Sequence, residues 1–226
     1  NSFCTLLAQM KVFGLTGGIA CGKSTVAEML ADMGAHVVDC DKLVRDLQKP
    51  HSPCVRAIAA AFAEEQVVDP TTGELDRVKL GAVVFKDPTK RRKLARVMNG
   101  PTIRAILGAL FRAWLALPSD AVVVVDAPLL YETGFLLPFC SAVLAVGCSE
   151  DTQVARLASR NGLNAEAARM RIRAQLPVEL KMRRAQRAIV NDSHVTLSEL
   201  RTEVRNALGW MRSTTTWYTG WNRVVG

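Results

Sequence analysis

Lys11-Val-Phe-Gly-Leu-Thr-Gly17-Gly-Ile-Ala-Cys-Gly22-Lys23-Ser24-Thr25-Val-Ala-Glu-Met-Leu-Ala-Asp-Met33 is the stretch that decides the fold. Its opening, Lys11 to Thr16, reads as an apolar strand. Its close reads as a helix from about Lys23 to Met33, because Val26, Met29, Leu30 and Met33 fall at i, i+3, i+4 and i+7, and Gly34 then stops it. Between them Gly17 to Ser24 fits G-x-x-x-x-G-K-[ST], and a strand before and a helix after are the context in which that pattern has its mechanism. The glycines let backbone N–H groups curl around phosphate oxygens, and the helix N-terminus adds partial positive charge. Lys23 reaches the β- and γ-phosphates, and the Ser24 hydroxyl is placed for Mg²⁺. Gly17, Gly18, Ile19, Ala20, Cys21, Gly22, Lys23, Ser24 and Thr25 are therefore expected to bind nucleotide. The bland alternative is a glycine-rich turn that merely precedes a helix. Cys21 combines a packing role with a thiol near a helix N-terminus, where thiolates are favoured.

Outward from this segment, Ala35–Asp39, Ala121–Asp126, Ser141–Gly147 and Ala188–Val190 are four further strand-like runs, too apolar for an exposed sheet and separated by helical patterns. They predict an α/β fold with a five-stranded, mostly parallel sheet covered on both faces. The final helix is announced by the Thr196/Glu199 capping box and the stripe Leu197, Leu200, Val204 and Leu208. The bulk numbers agree: 226 residues with 49% apolar and 22% charged content exclude a disordered chain. The longest uncharged stretch, Thr133 to Ser149, is broken by Pro138 and Gly147, so no membrane helix is expected. Six cysteines without a C-x-x-C pair, and three histidines, suggest neither a disulfide framework nor a zinc site, which fits a reducing, cytoplasmic setting.

The βα rhythm divides the chain. Residues 1–9 are expected to be a leader, tag or upstream read-through, since residue 1 is Asn and Met10 directly precedes the first patterned segment. Residues 10–49 and 119–209 read as the nucleotide-binding core, residues 50–118 as a helical insertion, and 210–226 as a tail of unknown role. Within the core, residues 160–187 form helical segments divided near Pro177, and residues 151–190 carry nine Lys+Arg against three Asp+Glu.

Two acidic positions stand out. Val122–Val125 followed by Asp126 has the form of a strand ending in a carboxylate that holds Mg²⁺ directly or through water, or else caps the next turn. Val37-Val-Asp39-Cys-Asp41 places two carboxylates on one side of an extended segment. Asp41 there is either a base for a substrate hydroxyl or the cap of a helix beginning at Lys42, and Asp39 either assists it or caps.

The run from Gly14 to Thr25 followed by Val-Asp-Cys-Asp41 resembles the dephospho-CoA kinase family. The resemblance continues in order through Leu75-Asp-Arg77, Pro101-Thr-Ile-Arg104, Pro128-Leu-Leu-Tyr-Glu132, Arg156, Arg160, Arg171-Ile-Arg-Ala-Gln175 and Ala188-Ile-Val-Asn191, covering roughly residues 11 to 209. It implies a P-loop kinase core with a helical CoA-binding insertion and a helical lid, transferring the ATP γ-phosphate to the 3′-hydroxyl of dephospho-CoA. In that reading Asp41, Lys23 and Arg160 are catalytic. Arg156 and Asn191 join the phosphate loop in binding ATP. Asp39, Asp41, Arg77, Pro128, Leu129, Leu130, Glu132 and Arg171 contact the acceptor, and Ser24 with Asp126 holds Mg²⁺. Two departures are Gly100, where the family usually has His before Pro, and Gln186, where it usually has Asp after Ala.

The competing readings are another small-metabolite or nucleoside monophosphate kinase, and a nucleic-acid-binding ATPase. The net charge of +8 permits the latter. Six of those net positives lie between residues 151 and 190, on the expected lid, and no aromatic-rich RNA-binding strand is present. The expected partners are therefore ATP and dephospho-CoA, with no nucleic acid and no membrane.

Overall fold

The computed structural model describes residues 11–214. The expected leader, and the expected tail beyond Thr214, lie outside the described residues. Contacts divide the chain into two units: one holds the described residues up to Val38 and from Ala113 on, and the other runs Asp39–Arg112.

The first unit is built on strands β1 (Lys11–Gly17), β2 (His36–Asp39), β3 (Val122–Asp126), β4 (Ala142–Gly147) and β5 (Arg187–Val190), in the order β2-β3-β1-β4-β5. β1 pairs in parallel with β3, Leu15 opposite Asp126, and with β4, Thr16 opposite Ala145. β4 pairs in parallel with β5, Leu144 opposite Arg187. Every residue of β3 and β4 is buried, as continuous apolar runs demand in a sheet covered on both faces. Helix α1 (Lys23–Asp32) buries Val26, Met29 and Leu30 against this sheet, and the last helix, α10 (Leu197–Ser213), adds Leu200, Val204, Leu208 and Met211 to the same core. α10 runs four residues past the expected end of the core at 209. Met211 continues its buried stripe, and the Trp210 ring lies 5.5 Å from that of Phe13, so packing holds the extra turn that the Thr-rich sequence beyond it concealed. The capping box predicted at Thr196 and Glu199 is present.

The parallel arrangement matters because it brings the carboxyl ends of β1, β3 and β4 to one edge, where ligands of open α/β sheets bind. Helices α6 (Leu130–Thr133), α7 (Glu150–Asn161), α8 (Ala165–Arg173) and α9 (Val178–Arg184) follow β3 and β4. Among the described residues no helix is long and apolar enough to cross a membrane.

The second unit is helical: α2 (Cys40–Leu47), α3 (Pro53–Ala61), α4 (Arg77–Lys86) and α5 (Pro88–Ala116), the last running on past its boundary. Each of the first three starts on a residue suited to the job. Asp39, Ser52 and Asp76 accept from the N–H groups of Lys42, Val55 and Lys79. The unit has its own core of Cys54, Ile58, Phe62, Val67 and Leu80. α5 contains Pro101. The departure at Gly100 suits that position, since a residue without a Cβ avoids the clash with the following proline ring that disfavours helix before proline.

Candidate nucleotide site

The loop from Gly17 to Gly22 is shaped from outside. Four side chains donate to four of its carbonyls: Lys181 Nζ to Gly17 O (3.3 Å), Gln153 Nε2 to Ile19 O (2.7 Å), Arg156 Nη1 to Ala20 O (3.2 Å) and Asn191 Nδ2 to Cys21 O (2.9 Å). With these oxygens engaged on the outer side, the interior of the loop is left to N–H groups and to the first-turn amides of α1, which have no intrahelical acceptors. The loop backbone is also bent out of the ordinary region, with Ala20 at φ 60° and Gly22 at φ 84°. Gly22 is required twice over: a Cβ there would be strained by φ and would overlap the Asn191 amide.

At the loop's end Lys23 opens α1 and forms an ion pair with Asp126, the last residue of β3; their side chains are 13% and 10% exposed. Ser24 is exposed and Thr25 half-buried. Asn191, directly after β5, is buried, and its N–H bonds Gly147 O at 2.7 Å. Beside the loop lies a cleft of about 350 Å³ lined by Gly22, Thr25, Arg156, Asn191, Thr196 and Leu200. Thus Gly17 to Thr25, Arg156, Asn191 and Asp126 come together.

The segment after β3 forms a second wall. Pro128 O accepts from Thr16 Oγ1 (3.1 Å) and Lys181 Nζ (2.9 Å). Leu129 is exposed, whereas Leu130 is fully buried; its side chain occupies the space that a Cβ on Gly14 would need. Glu132 pairs with Lys181 at 2.7 Å and accepts from Leu176 N at 3.1 Å. Two buried polar atoms in these neighbouring segments, Tyr131 OH and Gln175 Oε1, have no hydrogen-bond partner among the described residues. Burial pushes the Tyr131 hydroxyl up to about 12, so it keeps its proton and can donate.

Arg160, in the last turn of α7, and Arg171, on α8, are exposed; Arg160 Nε bonds Asn161 Oδ1 at 3.1 Å. Gln186 takes the place of the family's acid by extending the β4–β5 ladder: Val143 N donates to its Oε1 at 2.7 Å, and its own N–H bonds Val143 O at 3.1 Å.

In the helical unit, the helix after β2 begins at Cys40 rather than Lys42, and Asp39 is its cap, with Arg45 Nη2 3.3 Å from its second oxygen. Asp41 is therefore not the capping residue. It sits in the first turn of α2, exposed, where a carboxylate is favoured by the helix dipole. Arg77 is the exposed first residue of α4.

Sequence reasoning missed Gln153 and Lys181, which are 2% and 0% exposed. Their signal was positional: each lies on the apolar face of its helix, Gln153 four residues before buried Leu157 and Lys181 three after buried Val178. A polar residue on such a face needs a buried partner.

The dephospho-CoA kinase family model matches residues 11–196. The dephospho-CoA kinase of Arabidopsis thaliana is 36% identical over 217 residues, 96% of this chain and 90% of that protein. That of Geobacillus kaustophilus is 42% identical over 180 residues, 80% of this chain and 87% of that protein. A crystal structure of a Thermus thermophilus protein superposes with a TM-score of 0.75 at 31% identity, covering 89% of this chain and 97% of that one. With a phosphate loop of this construction at the carboxyl edge of a parallel sheet, and relatives matching over most of its length, the chain belongs to the dephospho-CoA kinase family, ATP-dependent phosphotransferases.

Proposed function

We propose that this chain transfers the γ-phosphoryl group of ATP to the 3′-hydroxyl of dephospho-CoA, giving CoA and ADP. The observation that carries the reading is the loop whose Gly17, Ile19, Ala20 and Cys21 carbonyls are all held by side-chain donors, in a chain whose relatives bear that activity's name. Such a loop is preorganised for a polyphosphate and needs no rearrangement as charge develops. The cleft beside it receives the nucleoside of ATP, with Arg156 and Asn191 on its wall. Lys23, now paired with Asp126, exchanges that partner for the β- and γ-phosphates. Ser24 and Asp126 offer a hydroxyl and a carboxylate, the hard oxygen donors that suit Mg²⁺. When bound with ATP, the metal neutralises phosphate charge.

Asp41 takes the proton of the acceptor hydroxyl, and the capping done by Asp39 leaves its carboxylate available for this. The wall formed by Pro128, Leu129, Tyr131, Glu132 and Gln175 faces the acceptor, whose polar groups satisfy Tyr131 OH and Gln175 Oε1. Leu130 shapes that wall from behind. Arg77 binds acceptor phosphate, and Arg160 and Arg171 close on the equatorial oxygens of the transferred group while water is excluded. Among the described residues the five cysteines are buried thiols, and we assign the chain to a cytoplasmic setting, in keeping with its kinase family.

The test is ADP release from Mg-ATP with dephospho-CoA, AMP, CMP and shikimate offered separately. Turnover confined to dephospho-CoA is expected; turnover of AMP without dephospho-CoA overturns the reading.

A further inference from the structure

Cys21 lies in the phosphate loop, and Cys148 follows β4 immediately before Ser149, the cap of α7. Their sulfurs are 3.3 Å apart, and both residues are buried, 0% and 6% exposed. The geometry points to a redox-modifiable dithiol: a hydroperoxide converts Cys21 and Cys148 into a disulfide that shuts the phosphate loop to ATP. The inference rests on the nucleotide-site reading.

The chemistry balances with one oxidant molecule. The Cys21 thiolate attacks the peroxide O–O bond, giving a sulfenic acid and releasing water (an alcohol if the peroxide is organic). Cys148 sulfur then attacks the Cys21 sulfur, the S–O bond breaks, and a second water leaves as the S–S bond forms. Two thiols are oxidised by two electrons, and the peroxide is reduced. The site separates the two roles. The neighbouring Cys148 thiol, with support from Arg156, holds Cys21 below its ordinary range against the opposing effect of burial, whereas Cys148 is pushed up first by its bond to Cys21 and then by burial. Cys21 is thus the more acidic of the two thiols and the one that attacks, and its partner is already in contact when the sulfenic acid forms.

The loop cannot absorb this bond silently. A disulfide brings the sulfurs to about 2.05 Å, so they must approach by more than 1 Å. Cys21 has no slack on its other sides. Its sulfur packs against Gly18, where an added Cβ would lie 2.8 Å from it, and its N–H bonds Gly18 O at 3.3 Å. Its carbonyl is held by Asn191 and the carbonyl before it by Arg156. Movement of Cys21 therefore moves the residues that surround the phosphates.

The experiment first confirms turnover by the reduced enzyme, then treats it with hydrogen peroxide. It follows peptides by mass spectrometry and activity before and after dithiothreitol. Expected are a 21–148 disulfide peptide, a fall in kcat/KM for ATP of at least tenfold, and recovery on reduction. Cys148→Ala removes the reversible part of the loss, and Cys148→Ser serves if the alanine variant is unstable. Three results would overturn the proposal: no 21–148 peptide while other thiols are oxidised, the peptide with activity unchanged, or the same reversible loss in the Cys148 variant. Because cross-linking is read by mass, its failure is distinguishable from a failure of the kinase assignment, which the reduced enzyme reports.

Discussion

Replacing Lys181 by Met tests how the two walls of the site are joined. Lys181 has no exposed surface, and its ammonium serves Gly17 O, Pro128 O and the Glu132 carboxylate at 3.3, 2.9 and 2.7 Å. Methionine fills similar volume and supplies none of these bonds. Breaking one side of a buried ion pair costs about 3–5 kcal/mol. Glu132 keeps its bond from Leu176 N and has a 20% exposed side chain, and Pro128 O keeps Thr16, so the lower end, about 3 kcal/mol, applies. In a chain of this size that corresponds to a fall of about 6–12 °C in Tm. Adding Glu132→Gln removes the orphaned charge and restores about 1–2 kcal/mol, the coupling expected of contacting residues. The kinetic consequence is selective. The phosphate loop retains Gln153, Arg156 and Asn191, while the acceptor wall loses both bonds from Lys181, so KM for the acceptor rises more than KM for ATP. Urea unfolding and initial rates check this on the same preparations. A loss below 1 kcal/mol, a double variant as unstable as the single, or equal rises in both KM values would refute the reasoning.

Asp41→Asn is expected to lower kcat by about 10²- to 10⁴-fold, the range for a positioned base, with a stability loss of no more than about 1 kcal/mol from the helix dipole, whereas Asp39→Ala loses about 0.5–2 kcal/mol as a missing cap; near-normal turnover of Asp41→Asn removes it from the chemistry. Gly209 lies inside α10, exposed and with nothing within 4 Å of an added Cβ, so Gly209→Ala gains about 0.5–1 kcal/mol in urea unfolding; destabilisation would contradict the helix geometry there. Asp192 is held below the ordinary carboxylate range by the Thr152 hydroxyl and by the N–H groups of Ser193 and Ser149. Its contribution is therefore complete above the unfolded value near 4 and lost as pH falls below it; Asp192→Asn should flatten that acid limb in urea midpoints measured from pH 3 to 7, and an unchanged limb argues against it.

The reach of the sequence follows from how local each signal is. β1, the loop and α1 were legible because strand pattern, glycine spacing and helical period meet within 23 residues, and the capping box at Thr196 was equally local. Asp39 and Asp41 were found as a pair, but which of them caps depended on whether the helix begins at Cys40 or Lys42, a difference of two residues that propensity does not resolve. The roles of Lys181 and Gln153 were out of reach for another reason: apart from their place on an apolar helix face nothing local marks them, and the loop carbonyls they hold lie 164 and 134 positions away. Only the parallel pairing of β1 with β4 and of β4 with β5 brings α7 and α9 to the loop.

That remote support changes the meaning of the basic surplus between residues 151 and 190. Lys181 and Arg156 are not free to close over substrate, since each is bound to a carbonyl of the phosphate loop. Arg160 and Arg171 are exposed on the helices that follow β4. The same run of sequence thus supplies two kinds of cation: carbonyl-bound ones, buried Lys181 and half-buried Arg156, that fix the loop before ATP arrives, and exposed ones available to a charge that exists only during transfer. The division makes opposite demands on substitution. A guanidinium bound to a carbonyl is a donor of defined geometry, so Arg156→Lys should weaken ATP binding through the loop. At Arg160, Lys retains the positive charge and should preserve more activity than Ala. If instead Arg156→Lys leaves KM for ATP unchanged while Arg160→Lys is as damaging as Arg160→Ala, the two roles have been assigned the wrong way round.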